Sequence, residues 1–113
     1  MADTADGAQP HPRWTFLTDH ARVLRLIAAD PRIRLRDIAA GTGITERAAG
    51  RIVGDLRQAG YIGQVRQGRH NLYAIVPGRY LPDPGHPAIP VQALLDLFTR
   101  REFRNGEPAD AGG

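Results

Sequence analysis

The sequence predicts a mainly α-helical domain with one small antiparallel β-hairpin and a C-terminal amphipathic helix. Three observations lead to this fold class. Apolar residues recur at i, i+3, i+4 and i+7 in separate segments, which places them on one face of a helix. The glycine-containing turn Gly41–Gly43 separates two of these segments. Further along, two stretches rich in β-branched and aromatic residues lie on either side of Gly68, as in a hairpin.

Charge is distributed unevenly along the chain. Its 113 residues suit a single domain. All 15 basic residues are arginine, a usage that GC-rich codons alone would explain. Residues 32–79 hold nine arginines against three acidic residues, or +6, whereas the remainder holds six against nine, or −3. The positive charge is therefore concentrated on one segment, which favours a polyanionic partner.

Several classes of function lack support in the sequence. Without cysteine there is no disulfide, thiolate metal site or cysteine nucleophile. The histidines are scattered, and the sequence shows no Ser-His-Asp order, nucleophile elbow or P-loop. We therefore expect neither an enzyme nor a bound cofactor or metal. No apolar run approaches the roughly 20 residues of a membrane span, and no signal peptide is visible. A cytoplasmic protein without a membrane partner is expected.

The N-terminal part of the chain is predicted to supply the central helix of the core. Residues 1–13 show no periodicity and are predicted to form a disordered arm. An apolar cluster that begins at Trp14 precedes Thr18, the expected N-cap, and the helix then runs to about Ala29. Pro31 disfavours helix in the residue before it and so ends the helix. The buried face is expected to contain Val23, Leu24, Leu26 and Ile27.

A short helix, a turn and a longer helix follow. Residues 32–35 alternate in character and are predicted to form a brief strand. The short helix starts near Leu35, and Gly41–Gly43 ends it because glycine adopts positive φ at little cost. Thr45 is the expected N-cap of the longer helix, with Glu46 in its first turn, where the helix dipole favours negative charge.

The longer helix has two different faces when its residues are placed about 100° apart. The inner face is apolar and consists of Ala49, Ile52, Val53 and Leu56. The outer face carries Arg47, Gly50, Arg51, Gly54 and Gln58. Each glycine weakens the helix by about 1 kcal/mol relative to alanine. The glycines are either simply tolerated or allow another backbone or a phosphate to approach closely. The arginines are either a solvated surface, with Arg51 paired to Asp55, or a surface for a partner.

The hairpin is predicted from two strands at residues 61–66 and 71–76, joined by a glycine-containing link. Its register stays open because glycine and alanine interrupt the alternation. Arg66, Arg69 and His70 lie at or near the expected tip. The hairpin would therefore present positive charge at its tip.

The C-terminal part is predicted to be a linker, a helix and a tail. Residues 78–90 are rich in proline and are predicted to be an extended linker that Tyr80 and Leu81 pin to the body. An amphipathic helix is predicted over residues 91–100, and residues 101–113 are predicted to be a disordered tail. The apolar stripe of the helix consists of Val91, Leu94, Leu95 and Phe98. This stripe either packs on the first helix or pairs with a second chain, and we favour a homodimer with the stripe in its interface.

The order of elements over residues 14–77 resembles the winged helix-turn-helix module of bacterial transcription regulators, most closely the MarR-like and IclR-like kinds. The segments that carry the resemblance are Leu35–Arg47, Asp55-Leu56 and Gly60–Ile62. In that family the helix after the turn enters the DNA major groove, and the hairpin is the wing. The resemblance therefore implies a DNA-binding transcriptional regulator whose partner is double-stranded DNA.

The resemblance also implies the contact residues. The major-groove set is Thr45, Glu46, Arg47, Gly50 and Arg51. The wing set, along the backbone or the adjacent minor groove, is Arg66, Arg69 and His70. Arg47 and Arg51 are the expected base readers, because a two-bond contact from arginine to guanine is worth about 1–3 kcal/mol of discrimination. Thr45 and the wing arginines are expected to hold phosphate. Gly50 and Gly54 depart from the family pattern, which has larger side chains there.

Two other functions stay open. A winged helix of this kind could act as a protein–protein interaction adaptor without specific DNA binding. DNA binding that weakens steeply with salt would distinguish a regulator from an adaptor. A small-molecule effector could bind between the core and the C-terminal helix, but no group of polar residues in the sequence supports one.

Overall fold

The computed structural model of the chain describes residues 13–85 and 88–106, with side chains described up to residue 99. The elements are α1 (Asp19–Ala29), α2 (Leu35–Thr42), α3 (Glu46–Gln58), β1 (Ile62–Gln67), β2 (His70–Ile75) and α4 (Val91–Gly106). The mainly helical fold with one antiparallel hairpin is the predicted fold class, which is confirmed. The predicted arm at residues 1–13 lies, apart from its last residue, outside the described part of the chain.

α1 is the central helix of the core, as the sequence predicts. Thr18 caps its N-terminus, since the Thr18 Oγ1 accepts a hydrogen bond from the backbone N–H of Ala21 at 3.1 Å. Val23 and Ile27 are fully buried, and Leu24 is nearly so. Burying one such side chain stabilises the fold by about 1.5–3 kcal/mol. Because α1 contacts α2, α3, β2 and α4, its apolar face organises the whole domain.

The brief strand predicted at residues 32–35 is absent, so that prediction was wrong. Leu35 is instead the first residue of α2, where its side chain packs against the core. A helix that starts there leaves too few residues for a strand. One backbone hydrogen bond, from Tyr73 N to Pro31 O at 2.9 Å, still ties the segment before α2 to β2.

The turn between α2 and α3 uses its two glycines differently. α2 continues through Gly41 and ends at Thr42, and Gly43 follows with a φ of 74°, the left-handed conformation that glycine favours. A Cβ added at Gly41 would lie 2.9 Å from Leu26 Cδ1. Gly43 therefore ends the helix, while Gly41 allows α2 to lie close against α1.

α3 packs its apolar side into the core and turns its other side outward. The four predicted inner residues are all buried: Ala49, Ile52, Val53 and Leu56. The helix contacts both α1 and α2 on this side. It ends at Gln58, and Gly60 follows with a φ of 86°. α3 is therefore held on two neighbouring helices with its outer face exposed.

The hairpin forms at the predicted place, with each strand shifted by one residue. The register runs from Ile62↔Ile75 at the base to Gln67↔His70 at the tip. Tyr73 and Ile62 are buried in the core, and β1 becomes exposed toward the tip. The hairpin is therefore anchored at its base and projects its tip into solvent.

The proline-rich segment at residues 78–90 folds back on the body, pinned near Tyr80 and Leu81 as predicted. Tyr80 forms an isolated antiparallel bridge with Pro90. The Tyr61 hydroxyl donates to Tyr80 O at 2.7 Å, and Leu81 N donates to the carbonyl of residue 89 at 2.8 Å. These bonds bring the start of α4 back against the core.

α4 is longer than predicted. It runs from Val91 to Gly106, so residues 101–106, which the sequence analysis assigned to a disordered tail, are helical. Val91 and Leu95 are buried in the same core as α1. None of the described helices is long and apolar enough to cross a membrane.

Candidate nucleic-acid interface

The leading end of α3 is built by a threonine cap. Thr45 Oγ1 accepts a hydrogen bond from Ala48 N at 3.0 Å, which fixes the first helical turn. The hydroxyl hydrogen of Thr45 stays available to donate to a second partner, such as a phosphate oxygen. Glu46 is exposed in the first turn. Both residues therefore lie where the sequence analysis expected the DNA-facing end of the helix.

Arg47 and Arg51 are exposed on the outer face of α3, one helical turn apart. Within the described residues, neither side chain makes a hydrogen bond or ion pair. The alternative pairing of Arg51 with Asp55 does not form, and the Asp55 carboxylate pairs with His20 instead, its Oδ2 lying 2.8 Å from His20 Nε2. Two guanidinium groups are therefore presented together from a rigid helix.

The two outer glycines of α3 have different surroundings. A Cβ added at Gly54 would meet nothing within 4 Å. A Cβ at Gly50 would lie 3.4 Å from Leu35 Cδ2, at the near edge of ordinary van der Waals contact. No backbone in the described part of the chain approaches either position, so packing within this domain does not require glycine there.

The structure brings the three predicted wing residues together at the hairpin tip. Arg66 Nε donates to Gly68 O at 3.1 Å, which holds that side chain against the turn. Arg69 and His70 are exposed, and their side chains have no hydrogen-bond partner among residues that the structure describes. The tip is therefore a basic surface that projects from the same body as α3.

Two exposed arginines of the basic segment form hydrogen bonds within the chain. Arg57 Nη1 donates to Gln64 Oε1 at 2.9 Å and joins the end of α3 to β1. Arg79 Nε donates to Gly60 O at 3.1 Å and ties the proline-rich segment to the turn after α3. Both acceptors are neutral, so each arginine keeps its charge at the surface while its side chain is held in place by the bond.

Sequence reasoning missed two arginines near the wing. Arg32 and Arg34 line a cleft with a volume of about 480 Å³, together with Arg69 and Asn71 from the wing side. We define these four residues as the cationic cleft. The alternating arginines were the available signal, but Arg32 and Arg34 were predicted to lie in a strand over residues 32–35, and their proximity to the wing is a long-range contact.

A second cleft, of about 270 Å³, lies between α1, α3, α4 and residues 81–82. Its walls are mostly apolar, and the His20–Asp55 pair lies among its lining residues. This is the region where the sequence analysis considered a small-molecule effector. The few polar groups in its walls do not identify a ligand class.

The predicted dimer stripe on α4 lies largely against its own chain. Val91 and Leu95 are buried in the core, and Leu94 is half-buried in the wall of the apolar cleft. The guanidinium of Arg25 lies 5.0 Å from the centre of the Phe98 ring, a cation–π contact within the chain. The first of the two alternatives, packing on α1, therefore accounts for most of the stripe.

The segment from α1 to α3 is similar to a known family. Residues 20–62 match a family model described as winged helix-turn-helix DNA-binding. The match covers the three helices up to the first residue of the hairpin. No curated protein sequence matches the chain significantly.

Solved structures of bacterial proteins share the fold. FabT from Streptococcus pneumoniae, in complex with DNA, is 14% identical with a TM-score of 0.52, over 80% of this chain and 58% of FabT. A mutant of ZitR from Lactococcus lactis is 16% identical with a TM-score of 0.51, over 84% of this chain and 59% of ZitR. The PcaV transcriptional regulator from Streptomyces coelicolor, in complex with its natural ligand, is 22% identical with a TM-score of 0.50, over 75% of this chain and 56% of PcaV.

The chain thus spans less than two thirds of the length of each of these structures. At these identities the likeness shows the fold alone. The family model identifies the helix-turn-helix as one of the winged DNA-binding type. Residues 20–62 therefore match the winged helix-turn-helix DNA-binding model, and the chain shares its fold with these bacterial proteins.

Proposed function

We propose that the chain is a DNA-binding transcription regulator that inserts α3 into the major groove and lays its wing along the backbone or in the adjacent minor groove. The main support for this proposal is that α3 buries its apolar face in the core and exposes arginines on the opposite face. Arg47 and Arg51 are exposed and have no side-chain partner in the described part of the chain. The major groove is about 12 Å wide and accepts a helix about 10–12 Å in diameter.

The spacing of the two arginines suits base contacts. Residues one turn apart are separated by about 6 Å along the helix, and successive base pairs by about 3.4 Å. Arg47 and Arg51 would then reach bases about two steps apart, each with two hydrogen bonds to a guanine. Gly50, which lies between them, lets the backbone approach the bases, and Glu46 can accept a hydrogen bond from a cytosine amino group.

The wing and the cap supply contacts that fix the position of the helix. Arg66 uses its Nε on the turn, which leaves its terminal nitrogens for a phosphate. Arg69, His70 and the Thr45 hydroxyl add further contacts of this kind. Such contacts raise affinity without specifying sequence. A role on the chromosome would place the protein in the cytoplasm.

A homodimer would read two half-sites about one helical turn apart. Since Val91 and Leu95 are in the core, we propose that the interface uses the outer side of α4, where Leu97 is 62% exposed. The T-shaped pair of Trp14 and Phe16, with ring centres 5.0 Å apart, is a second exposed apolar surface. Leu94 and Phe98, half-buried in the chain, would flank this interface.

The proposal is tested by selecting bound fragments from random duplex DNA with the wild-type chain and with Arg47→Ala and Arg51→Ala. We expect a palindromic motif in which each substitution relaxes one position in each half-site and costs about 1–3 kcal/mol per lost contact. Arg22→Ala is the matched control, because Arg22 is on α1 and pairs with Asp19 at 3.1 Å. Absence of duplex binding even at low salt would instead support the adaptor function.

A further inference from the structure

We propose that the cationic cleft binds a phosphate of the DNA backbone, so that one strand of the DNA passes between the start of α2 and the wing. This inference rests on the proposed function and adds contacts from Arg32, Arg34 and Asn71. The cleft lies between the connection from α1 to α2 and the wing, and has a volume of about 480 Å³.

The cleft is lined by positive charges, and no acidic residue in its walls neutralises them. Arg32, Arg34 and Arg69 line it, and none of its lining residues is acidic. Among the described residues, no hydrogen bond or ion pair engages these three side chains. The nearby Asp30 carboxylate accepts instead from the backbone N–H of Arg32 at 3.1 Å. Three neighbouring positive charges repel each other, and an anion in the cleft would offset that repulsion.

Asn71 supplies a second observation in the same cleft. Its Oδ1 is buried and has no hydrogen-bond partner among the described residues. Leaving a buried acceptor unsatisfied costs about 1–3 kcal/mol. A guanidinium has five N–H donors in a fixed fork. An arginine drawn into the cleft by a phosphate can therefore donate to Asn71 and to the phosphate at once.

The start of α2 adds to the positive potential of the cleft. Arg34 is its N-cap and makes no side-chain capping bond, whereas α1 and α3 are both capped by threonine. Asp37 supplies a negative charge in the first turn of α2, where the helix dipole favours one, but it does not line the cleft. A positive charge such as that of Arg34 is repelled by the positive end of the helix dipole. A phosphate bound there would make the local electrostatic interaction favourable.

The cleft adjoins both parts of the proposed DNA interface. Leu35 lines the cleft, and its Cδ2 lies 3.4 Å from the position of a Cβ on Gly50 in the outer part of α3. On the other side, Arg69 and His70 belong to both the cleft and the wing tip. A DNA strand that contacts both α3 and the wing would therefore pass the cleft.

The test is the salt dependence of binding of the full chain to a fixed duplex, measured by fluorescence anisotropy between 50 and 200 mM salt. For Arg32→Gln/Arg34→Gln, we expect the slope of log K against log salt to become shallower by about 0.9, the value for one phosphate. Wild type would then lose about 3.5-fold more affinity over this range than the variant. Arg22→Gln/Arg36→Gln is the matched control, since it also removes two arginine charges and neither residue lines the cleft.

A variant slope equal to that of the Arg22→Gln/Arg36→Gln control would overturn the inference and leave the proposed role of α3 intact. Asn71→Asp provides a second variant, because a negative charge in the cleft should weaken duplex binding at least tenfold while circular dichroism shows an unchanged helix content. Unchanged affinity of folded Asn71→Asp would also count against the site.

The source of the phosphate is tested separately. Failure of wild type to bind any duplex at low salt would refute both the proposed function and a DNA phosphate in the cleft. Inorganic phosphate, titrated at constant ionic strength, would then decide between the remaining outcomes. Changes in the NMR signals of the Asn71 side-chain amide would assign the cleft to a free phosphorylated ligand, and unchanged signals would exclude a phosphate site.

Discussion

α3 and α4 carry the same apolar spacing but have different relations to the rest of the molecule. The stripe of α3 is completely buried, and its opposite face is cationic. The stripe of α4 is buried at Val91 and Leu95 but only half-buried at Leu94 and Phe98, and its outer side exposes Leu97. The spacing thus defines an apolar face in both helices, whereas the residues on the other face indicate the kind of partner.

The difference matters for how each helix would be used. α3 can approach a polyanion because its packing within the domain is already complete. α4 has little of its predicted stripe left for a second chain, so a dimer would depend on apolar residues outside the stripe. Three substitutions would break or sharpen this comparison.

The largest change in the free energy of unfolding is expected for Leu95→Asp. Because Leu95 is 6% exposed in the core, an aspartate there would be a buried charge without a partner and should destabilise the fold by more than about 3 kcal/mol. Urea unfolding followed by circular dichroism measures this effect.

A Leu95→Asp variant that unfolds at the wild-type urea midpoint would contradict the burial of α4 in the core. Ile52→Ala is a suitable comparison on α3, since Ile52 is 2% exposed and such truncations cost about 2–5 kcal/mol.

Gly54→Ala, on the outer face of α3, is expected to stabilise the fold, by less than Leu95→Asp destabilises it. A Cβ there meets nothing within 4 Å, so the gain in helix propensity should raise the free energy of unfolding by about 1 kcal/mol. Gly50→Ala should gain no more than this, because its Cβ would contact Leu35 at 3.4 Å. Thermal unfolding measures both changes. Loss of DNA affinity in a stabilised Gly54→Ala variant would show that DNA approaches the backbone at this position.

The smallest effect on the fold is expected for Leu97→Asp. Leu97 is exposed on α4, and a surface change of this kind alters stability by about 0.5 kcal/mol or less. If the outer side of α4 forms the proposed dimer, the charge should convert the dimer to a monomer in light scattering without unfolding the chain. An unchanged dimer would place the interface elsewhere, with the Trp14–Phe16 pair as the next candidate.

Much of the fold could be predicted from local patterns. The caps at Thr18 and Thr45, the helix end at Gly43 and the buried side of α3 depend on residues within a few positions of each other. The same holds for the exposed positions of Arg47 and Arg51. The short strand failed as a prediction because three residues of alternating character do not outweigh the start of a helix at Leu35.

The candidate site could be predicted only in part. The outer face of α3 and the tip of the wing follow from periodicity and from the hairpin turn. The joining of Arg34 to Arg69 in one cleft and the pairing of Asp55 with His20 could not be predicted, since each joins residues far apart in the sequence.

The sequence by itself determined where the helices and the hairpin lie, how two helices begin, and which side of α3 is apolar. These features are local, because capping, glycine conformation and side-chain periodicity act within one or two turns of a helix. Only the tertiary structure decided what covers the stripe of α4, which arginines remain exposed, and that Arg32 and Arg34 lie beside the wing. Those outcomes depend on contacts between distant segments, whose geometry no local pattern specifies.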